Sequence, residues 1–537
     1  MINKLKNLEG VFSINKAALI VGLLTLFGKF IALVRENIFA TVFGQDKILD
    51  TYYAAFRIPD FITNLFILST LSVAFLPVFS GILSTNKQEA NKFANNVLNL
   101  LLLTIGALSL LLFLFAGPLV KKLVPGFSPE QYLYTLKLTK LILLSPIIHS
   151  LSTFFGGILN ANKKFFITSL APIFYNFGII FGILCLYPKY GIMGLGYGAI
   201  LGAVIQACLQ IFASLKLGFC WQPILKFREK SLDKLFKVYA PRIFAFDLSN
   251  ITLILGTMIG SQLASGSIAS LNQAFNLQSV PVGVFAYALS IASFPVLSEF
   301  FALKDEKNFI KIFSQTLRQL LFLMIPISVL MLLLRAYIVR LILGRGNFTW
   351  EDTIMTFTIL GIFSFSLLSQ SLTTFLSRAF FARLNTKTPV LINIVCIIIN
   401  IVLTYLLGQK YGIQGITWSF VIASITNALL LFIVLRKELN ALNHTELKIF
   451  DKELFFTSTK IIFSTLIMGC AVYGTIYLIE PLVNTRTIPG LIIQAGEATI
   501  IGVIIYLMVA SKLGLKQADS VVNLLNINKP RSQNEQI

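Results

Sequence analysis

Charge is what this 537-residue chain has least of: Asp, Glu, Lys and Arg together make up 12%, against 56% hydrophobic residues and a mean hydropathy of +0.82. A water-soluble globule of this size needs about a quarter of its residues charged to cover its surface, so that class is excluded. Histidine is nearly missing, with only His149 and His444. Five cysteines (Cys185, Cys208, Cys220, Cys396 and Cys470) are scattered without CxxC spacing, which argues against a disulfide framework or a metal centre. There is no Walker loop, dinucleotide fingerprint, HExxH or GxSxG. No enzyme activity and no cofactor are therefore expected. Any transport must draw on the membrane potential, on H+ or Na+ coupling, or on the cargo's own consumption. A cleavable signal peptide is not expected either, because the first apolar run is long and no small-residue cleavage site follows it.

What is present is a series of apolar runs of about 20 residues, each enough to cross a hydrocarbon core. Lipid cannot satisfy an open backbone, so each is read as a helix and the chain as an all-α integral membrane protein. About fourteen spans are expected, near 16–43, 50–83, 93–119, 131–156, 165–187, 192–216, 236–263, 273–301, 310–334, 353–380, 388–408, 413–435, 456–479 and 488–511. An even number puts both termini on one side. The segments assigned to that side carry roughly 25 Lys and Arg, against roughly 9 opposite, which makes it the cytoplasmic side. The net charge of +21 then belongs to loops facing an anionic leaflet, such as Lys226, Arg228, Lys230, Lys234 and Lys237, and not to a nucleic-acid surface.

The chain also repeats itself. Lys189-Tyr-Gly-Ile-Met-Gly194 returns as Lys410-Tyr-Gly-Ile-Gln-Gly415, and Pro77-Val-Phe-Ser80 returns as Pro295-Val-Leu-Ser298. Two matches at nearly one offset indicate a duplicated unit of roughly 220 residues. Membrane transporters are often built from such repeats, with the substrate near their interface. The expected organisation is an N-terminal six-span lobe (1–216), a basic cytoplasmic linker (217–235), a second six-span lobe (236–435), a charged linker (436–455), spans 13 and 14 (456–511) and a polar cytoplasmic tail (512–537).

A charge at mid-bilayer costs about 2.5–3.5 kcal/mol, so each one calls for a reason. The first span carries Lys29, Arg35 and Glu36; the second carries Asp50, Arg57 and Asp60. Asp50, Arg57 and Asn64 are spaced by sevens and share a helix face. Lys29 and Glu36 also share a face, whereas Arg35 points roughly 120° away from Lys29. The plain alternative, snorkelling to the headgroups, suits Arg335, Arg340 and Lys460 near span ends. It suits Lys29, Arg35 and Arg57 less well, because they fall inside two adjacent spans. Arg57 and Asp60 can also form a local pair at i, i+3. Even so, the nearby carboxylates are not expected to neutralise the whole set, which leaves a site suited to an anionic ligand. In span 7, Arg242 and Asp247 read first as a local pair and second as a coupling-cation or proton site at Asp247, with Asn393 and Asn400 as amide partners.

These residues resemble the MurJ/MviN family of lipid II flippases, within the multidrug/oligosaccharidyl-lipid/polysaccharide exporter superfamily. The resemblance rests on Arg35-Glu-Asn-Ile-Phe-Ala-Thr-Val-Phe-Gly44, Ala54-Ala-Phe-Arg-Ile-Pro-Asp60, Val124-Pro-Gly-Phe127 and Gly156-Gly-Ile-Leu-Asn-Ala-Asn-Lys-Lys164. It continues in Leu263-Ala-Ser-Gly-Ser267, Gly344-Arg-Gly-Asn-Phe-Thr349 and Thr386-Lys-Thr-Pro389. It implies two lobes around a cationic cavity, alternating access, and a groove for the lipid tail on the last two helices. Carried over by position, it makes Lys29, Arg35, Asp50 and Arg57 substrate-site residues. Asn64 and Asn276 belong to that site too, although Thr63, Asn64 and Asn276 stand where relatives carry arginine.

The implied cargo is lipid II or a related polyprenyl-pyrophosphate saccharide, moved outward across the bacterial inner membrane in cell-wall biosynthesis. Partners would be membrane lipids and cell-wall synthesis proteins, and not nucleic acid. The alternatives are a flippase for another polyprenyl-linked saccharide or a multidrug exporter, although the latter favours acid-rich cavities. A polyprenyl-phosphate glycosyltransferase would need a long acidic loop, which this chain lacks.

Overall fold

A computed structural model describes residues 2–64, 75–226, 248–442, 452–484 and 487–518, and every regular element among them is a helix. In chain order these are α1 (Ile2–Phe43), α2 (Lys47–Ile62), α3 (Leu76–Leu83), α4 (Lys87–Leu114), α5 (Ala116–Leu123), α6 (Pro129–Ile142) and α7 (Ser145–Ala161). There follow α8 (Phe165–Phe181), α9 (Tyr187–Tyr190), α10 (Ile192–Lys216), α11 (Leu248–Gly260), α12 (Ser267–Pro281), α13 (Tyr287–Ala302) and α14 (Glu306–Leu333). The last are α15 (Arg335–Ile342), α16 (Trp350–Ser364), α17 (Leu367–Ala382), α18 (Lys387–Leu442), α19 (Lys452–Ile479) and α20 (Ile488–Lys512).

Among the described residues, nine helical stretches are long and apolar enough to span a membrane, and α16 with α17, bent by 45°, makes a tenth. The rest of the expected fourteen have identifiable reasons for falling short. α1 carries Lys29, Arg35 and Glu36 close together, α2 and α11 run toward residues outside the described set, and α18 holds two spans joined at Gly412.

Helix starts follow capping chemistry. Asn86 accepts from the Gln88 and Glu89 N–H groups ahead of α4, and Ser128 forms a reciprocal capping box with Gln131 ahead of α6, where Pro129 takes the first position. Asp305 caps α14. The backbone N–H and side-chain amide of Asn308 hold its carboxyl below the ordinary range.

The duplication is visible in the backbone. Gly191 (φ 57°, ψ −146°) and Gly412 (φ 58°, ψ −135°), the glycines of the two repeated hexapeptides, adopt the same conformation, which side chains disfavour. Lys163 and Leu384, separated by the same offset as the hexapeptides, share a positive φ of 59° and 60° that is uncommon outside glycine. Phe115 and Leu334 break their helices at the same angles, φ −94° and ψ 9°. Turns therefore record the repeat more faithfully than the apolar side chains around them.

Contacts divide the chain into two compact units, and these are not the two repeats. One unit comprises Met1–Leu277, Ile342–Thr356 and Asn393–Phe420; the other comprises Gln278–Leu341, Phe357–Ile392 and Val421–Ile537. In the first unit, α8 and α10 cross at glycines. A Cβ on Gly178 would stand 2.2 Å from the Gly202 Cα, so only glycine admits this approach. Small residues at helix crossings replace the hydrophobic drive that lipid removes.

In the second unit, the last two helices share a core with α14 and its neighbours. Phe322 and Leu334 pack with Ile461, Met468, Val472 and Tyr506, and the Tyr506 hydroxyl donates to the Phe322 carbonyl at 2.7 Å. Lys460 does not snorkel freely, since its ammonium donates to the Leu513 carbonyl at 2.7 Å. Truncation before α19 would strip this core, so a point substitution is the cleaner way to probe these helices.

Candidate functional site

The charged residues of α1 and α2 lie in the first unit, where second-repeat residues join them. Glu36, 1% exposed, is the hub. One carboxylate oxygen accepts from Arg35 at 2.6 Å and from the Asn276 amide at 3.0 Å; the other accepts from the Tyr53 hydroxyl at 2.8 Å. Arg35 also donates to the Asn176 side chain at 3.0 Å. This is how an Arg–Glu pair persists inside a membrane protein: its lone pairs and protons are matched within the bundle. Arg35 Nε alone is buried without an acceptor. Lys29, exposed and within electrostatic reach of Arg35, makes no hydrogen bond to a described residue.

The heptad face of α2 forms a seam. Asp50, 3% exposed, accepts from the Gly266 N–H at 2.7 Å and the Ala269 N–H at 2.8 Å, both at the start of α12. Arg57, 8% exposed, donates to Thr257 at 2.9 Å and to Asn272. Asn64 donates to Asn250 at 3.2 Å. The seven-residue spacing read from sequence thus selects one row of contacts, and each member meets the second repeat. Arg57 does not close on Asp60. That carboxylate is half-buried, within electrostatic reach of Arg57 and Arg35, and makes no hydrogen bond to a described residue.

Beyond the seam, chain segments interlock. Gln45 donates to Gln273 at 2.7 Å and to Thr356 at 3.2 Å, and Asn37 donates to the Ile342 carbonyl at 2.6 Å. Asn347 donates to the Thr41 and Val42 carbonyls. At Gly266 (φ +85°) a Cβ would stand 2.5 Å from the Gln45 carbonyl oxygen, so conformation and space both require glycine.

Lys29, Arg35, Asp50, Arg57, Asn64 and Asn276 therefore all lie in one unit, but in different situations. Asn276, expected at the substrate site, is tied to Glu36. Asp50 is spent on a helix N-terminus. Thr63 returns its hydroxyl to the Pro59 carbonyl at 3.0 Å. Asn400 accepts from Thr252 at 3.0 Å and leaves its amide nitrogen buried without an acceptor, while Asn393 is half-buried with partners of its own. Arg242 and Asp247, and with them the coupling-ion reading, lie outside the described residues. Sequence reasoning missed Asn176, Thr257 and Asn272. They are uncharged, and their only signal was that each places an amide or hydroxyl inside an apolar run.

Among the described residues, an all-helical bundle with helices of spanning length and charges held inside it is the architecture of a multi-pass membrane protein. The fold is shared with a multidrug resistance MATE family transporter in its inward-facing conformation, at a TM-score of 0.64 and 13% identity over 79% of this chain and all of that one. A solved structure described as "Lipid II flippase MurJ, inward closed conformation" matches at a TM-score of 0.76 and 27% identity, over 94% of this chain and all of that one. The family model "Lipid II flippase MurJ" matches residues 39–491, and the chain belongs to that family. The probable lipid II flippase MurJ of Borreliella burgdorferi is 28% identical over 74% of this chain and 79% of its own length. The lipid II flippase MurJ of Burkholderia cenocepacia is 26% identical over 79% and 84%.

Proposed function

We propose that this chain carries lipid II, or a closely related polyprenyl-pyrophosphate saccharide, from the cytoplasmic to the outer leaflet by alternating access. The observation that carries the reading is the cluster on α1 and α2. Within the two spans stand three cations, Lys29, Arg35 and Arg57, and three carboxylates, Glu36, Asp50 and Asp60, in a MurJ-family chain. Asp50 is engaged by two backbone N–H groups and Glu36 pairs with Arg35, which leaves Lys29 and Arg57 against Asp60, a positive remainder that suits a pyrophosphate and not an organic cation. Lys29 is the first contact in this scheme, because its ammonium needs no bond broken before it meets an anion. Arg35 and Arg57 are already engaged and exchange partners as access alternates. The Asp50–Arg57–Asn64 seam is the set of contacts that must part for the cargo to leave on the other side. Energy comes from the membrane potential or from H+ or Na+ coupling.

The deciding experiment is complementation of a flippase-depleted bacterium, with lipid-linked precursor assayed on both membrane faces. Growth rescue with outward precursor is expected; precursor retained inside a cell that makes the protein would sink the reading. Both termini are placed in the cytoplasm by the Lys/Arg asymmetry. In a cysteine-free background, Lys4→Cys and Pro530→Cys should resist impermeant thiol reagents in intact cells, whereas Lys47→Cys and Ser265→Cys should react. The reverse pattern would invert the topology.

The last two helices, α19 and α20, are assigned the polyprenyl tail, whose exposure to water would cost about 0.8 kcal/mol per CH2. A Cβ on Gly496 would meet nothing within 4 Å, so the backbone there admits a side chain, and tryptophan adds bulk to that surface. Gly496→Trp should leave protein levels unchanged and lower flipping of a long-chain cargo more than of a short-chain analogue. Equal effects on both would rule out the tail role.

A further inference from the structure

We propose that a groove on the flank of α4, α6, α7 and α10, separate from the charged cluster, binds an anionic glycerophospholipid. The groove encloses about 590 Å3, within the range of roughly 300–1,000 Å3 typical of small-ligand sites. Its walls are almost wholly apolar, with Phe113, Leu144 and Met193 among them, and its polar groups are few: Ser109, Lys137 and Lys140.

Those three set it apart from an ordinary lipid-facing surface. Lys137 and Lys140 lie about 12 and 16 Å along α6 from its start at Pro129. Neither has an acidic partner among the described residues, and each leans on an aromatic ring: Lys137 on Tyr134 at 6.0 Å and Lys140 on Phe113 at 5.1 Å. Lys137 is exposed and Lys140 half-buried, so both ammonium groups stand beside the apolar wall open to an anion. Ser109 supplies the independent observation. It is 5% exposed, it lines the groove, and its hydroxyl has no hydrogen-bond partner. Most buried hydroxyls are partnered, so an unpartnered one at the groove wall is a polar group the protein itself leaves over.

The occupant follows from this arrangement. The lysines call for a negatively charged head, the apolar length calls for an acyl chain, and the solvent around this protein is itself lipid. Nearer Pro129, α6 also borders a second cavity of about 420 Å3, lined by Tyr134, Tyr187 and Tyr190. Tyrosine is a residue that belts the membrane interface, where a lipid head would sit.

The test uses delipidated full-length protein and native mass spectrometry after exposure to micelles of phosphatidylglycerol or phosphatidylcholine. Wild type should retain phosphatidylglycerol at least tenfold more strongly. Lys137→Gln/Lys140→Gln should lose that preference. Gly106→Leu should weaken retention of both lipids, because Gly106 lines the groove, a Cβ there meets nothing within 4 Å, and leucine adds bulk to the space a lipid would take. Should the double variant fail to fold, Gly106→Leu decides alone. Equal retention of the two lipids by wild type, or wild-type retention by Gly106→Leu, overturns the proposal.

Discussion

Arg57→Ala should reach the membrane at wild-type levels and lose at least nine-tenths of its flipping activity. Removing a charge from a spanning helix eases insertion, so a fall in abundance is not expected. The guanidinium holds Thr257 and Asn272 in the present arrangement and is freed for a pyrophosphate when the seam parts. A charge-assisted hydrogen bond is worth about 1.5–3 kcal/mol, which corresponds to roughly a 10- to 150-fold loss in rate. Arg57→Lys keeps the charge but not the planar fork that reaches two partners at once, and it should fall between the two. Flipping at the wild-type rate by Arg57→Ala, measured as precursor exposed on the outer face, would remove Arg57 from the mechanism.

Asp50→Ala should act on stability first. Both carboxylate oxygens accept backbone N–H groups at the beginning of α12. Removing the acceptor leaves those donors buried and unpaired, at about 1.5–3 kcal/mol for each bond to a charged group. The negative charge also complements the positive end of the helix dipole, a further 0.3–1 kcal/mol or so. A lowered melting temperature of the detergent-solubilised protein is the expected result. Asp50→Asn should recover much of the loss, since asparagine and aspartate cap helices about equally well. An unchanged melting temperature in Asp50→Ala would show that the capping contacts carry no weight. If Asp50→Asn is stable yet transports poorly, the carboxylate has a charge-dependent role beyond the cap.

Much of this architecture is legible without coordinates. Apolar runs of spanning length, two hexapeptides that match half a chain apart and the rarity of charge lead to a duplicated helical membrane protein, because a bilayer leaves few other solutions for such a chain. The heptad spacing of Asp50, Arg57 and Asn64 groups three residues on one face, and the structure keeps them together. Their partners could not be read, since Gly266, Thr257 and Asn250 lie far along the chain in the second repeat and carry no charge to advertise themselves. Asn276 shows the same limit. Its position alone makes it a substrate contact, whereas the fold gives it to Glu36.

What the membrane enforces could be read from the chain alone: helices, their approximate ends, the repeat, the positions of the charges within spans and the family resemblance. Periodicity and hydropathy are local properties, and they survive without knowledge of neighbours. The fold alone sets which charges are already satisfied and which keep no partner among the described residues. Glu36 became a hub and Asp50 a cap, while Lys29 and Asp60 kept no hydrogen-bond partner among the described residues. It also decided that the compact units cut across the repeats, and that two lysines of α6 share a groove with an orphan hydroxyl of α4. The reason is physical: whether a buried polar group is paired depends on atoms within about 3 Å of it, and those atoms come from distant parts of the chain.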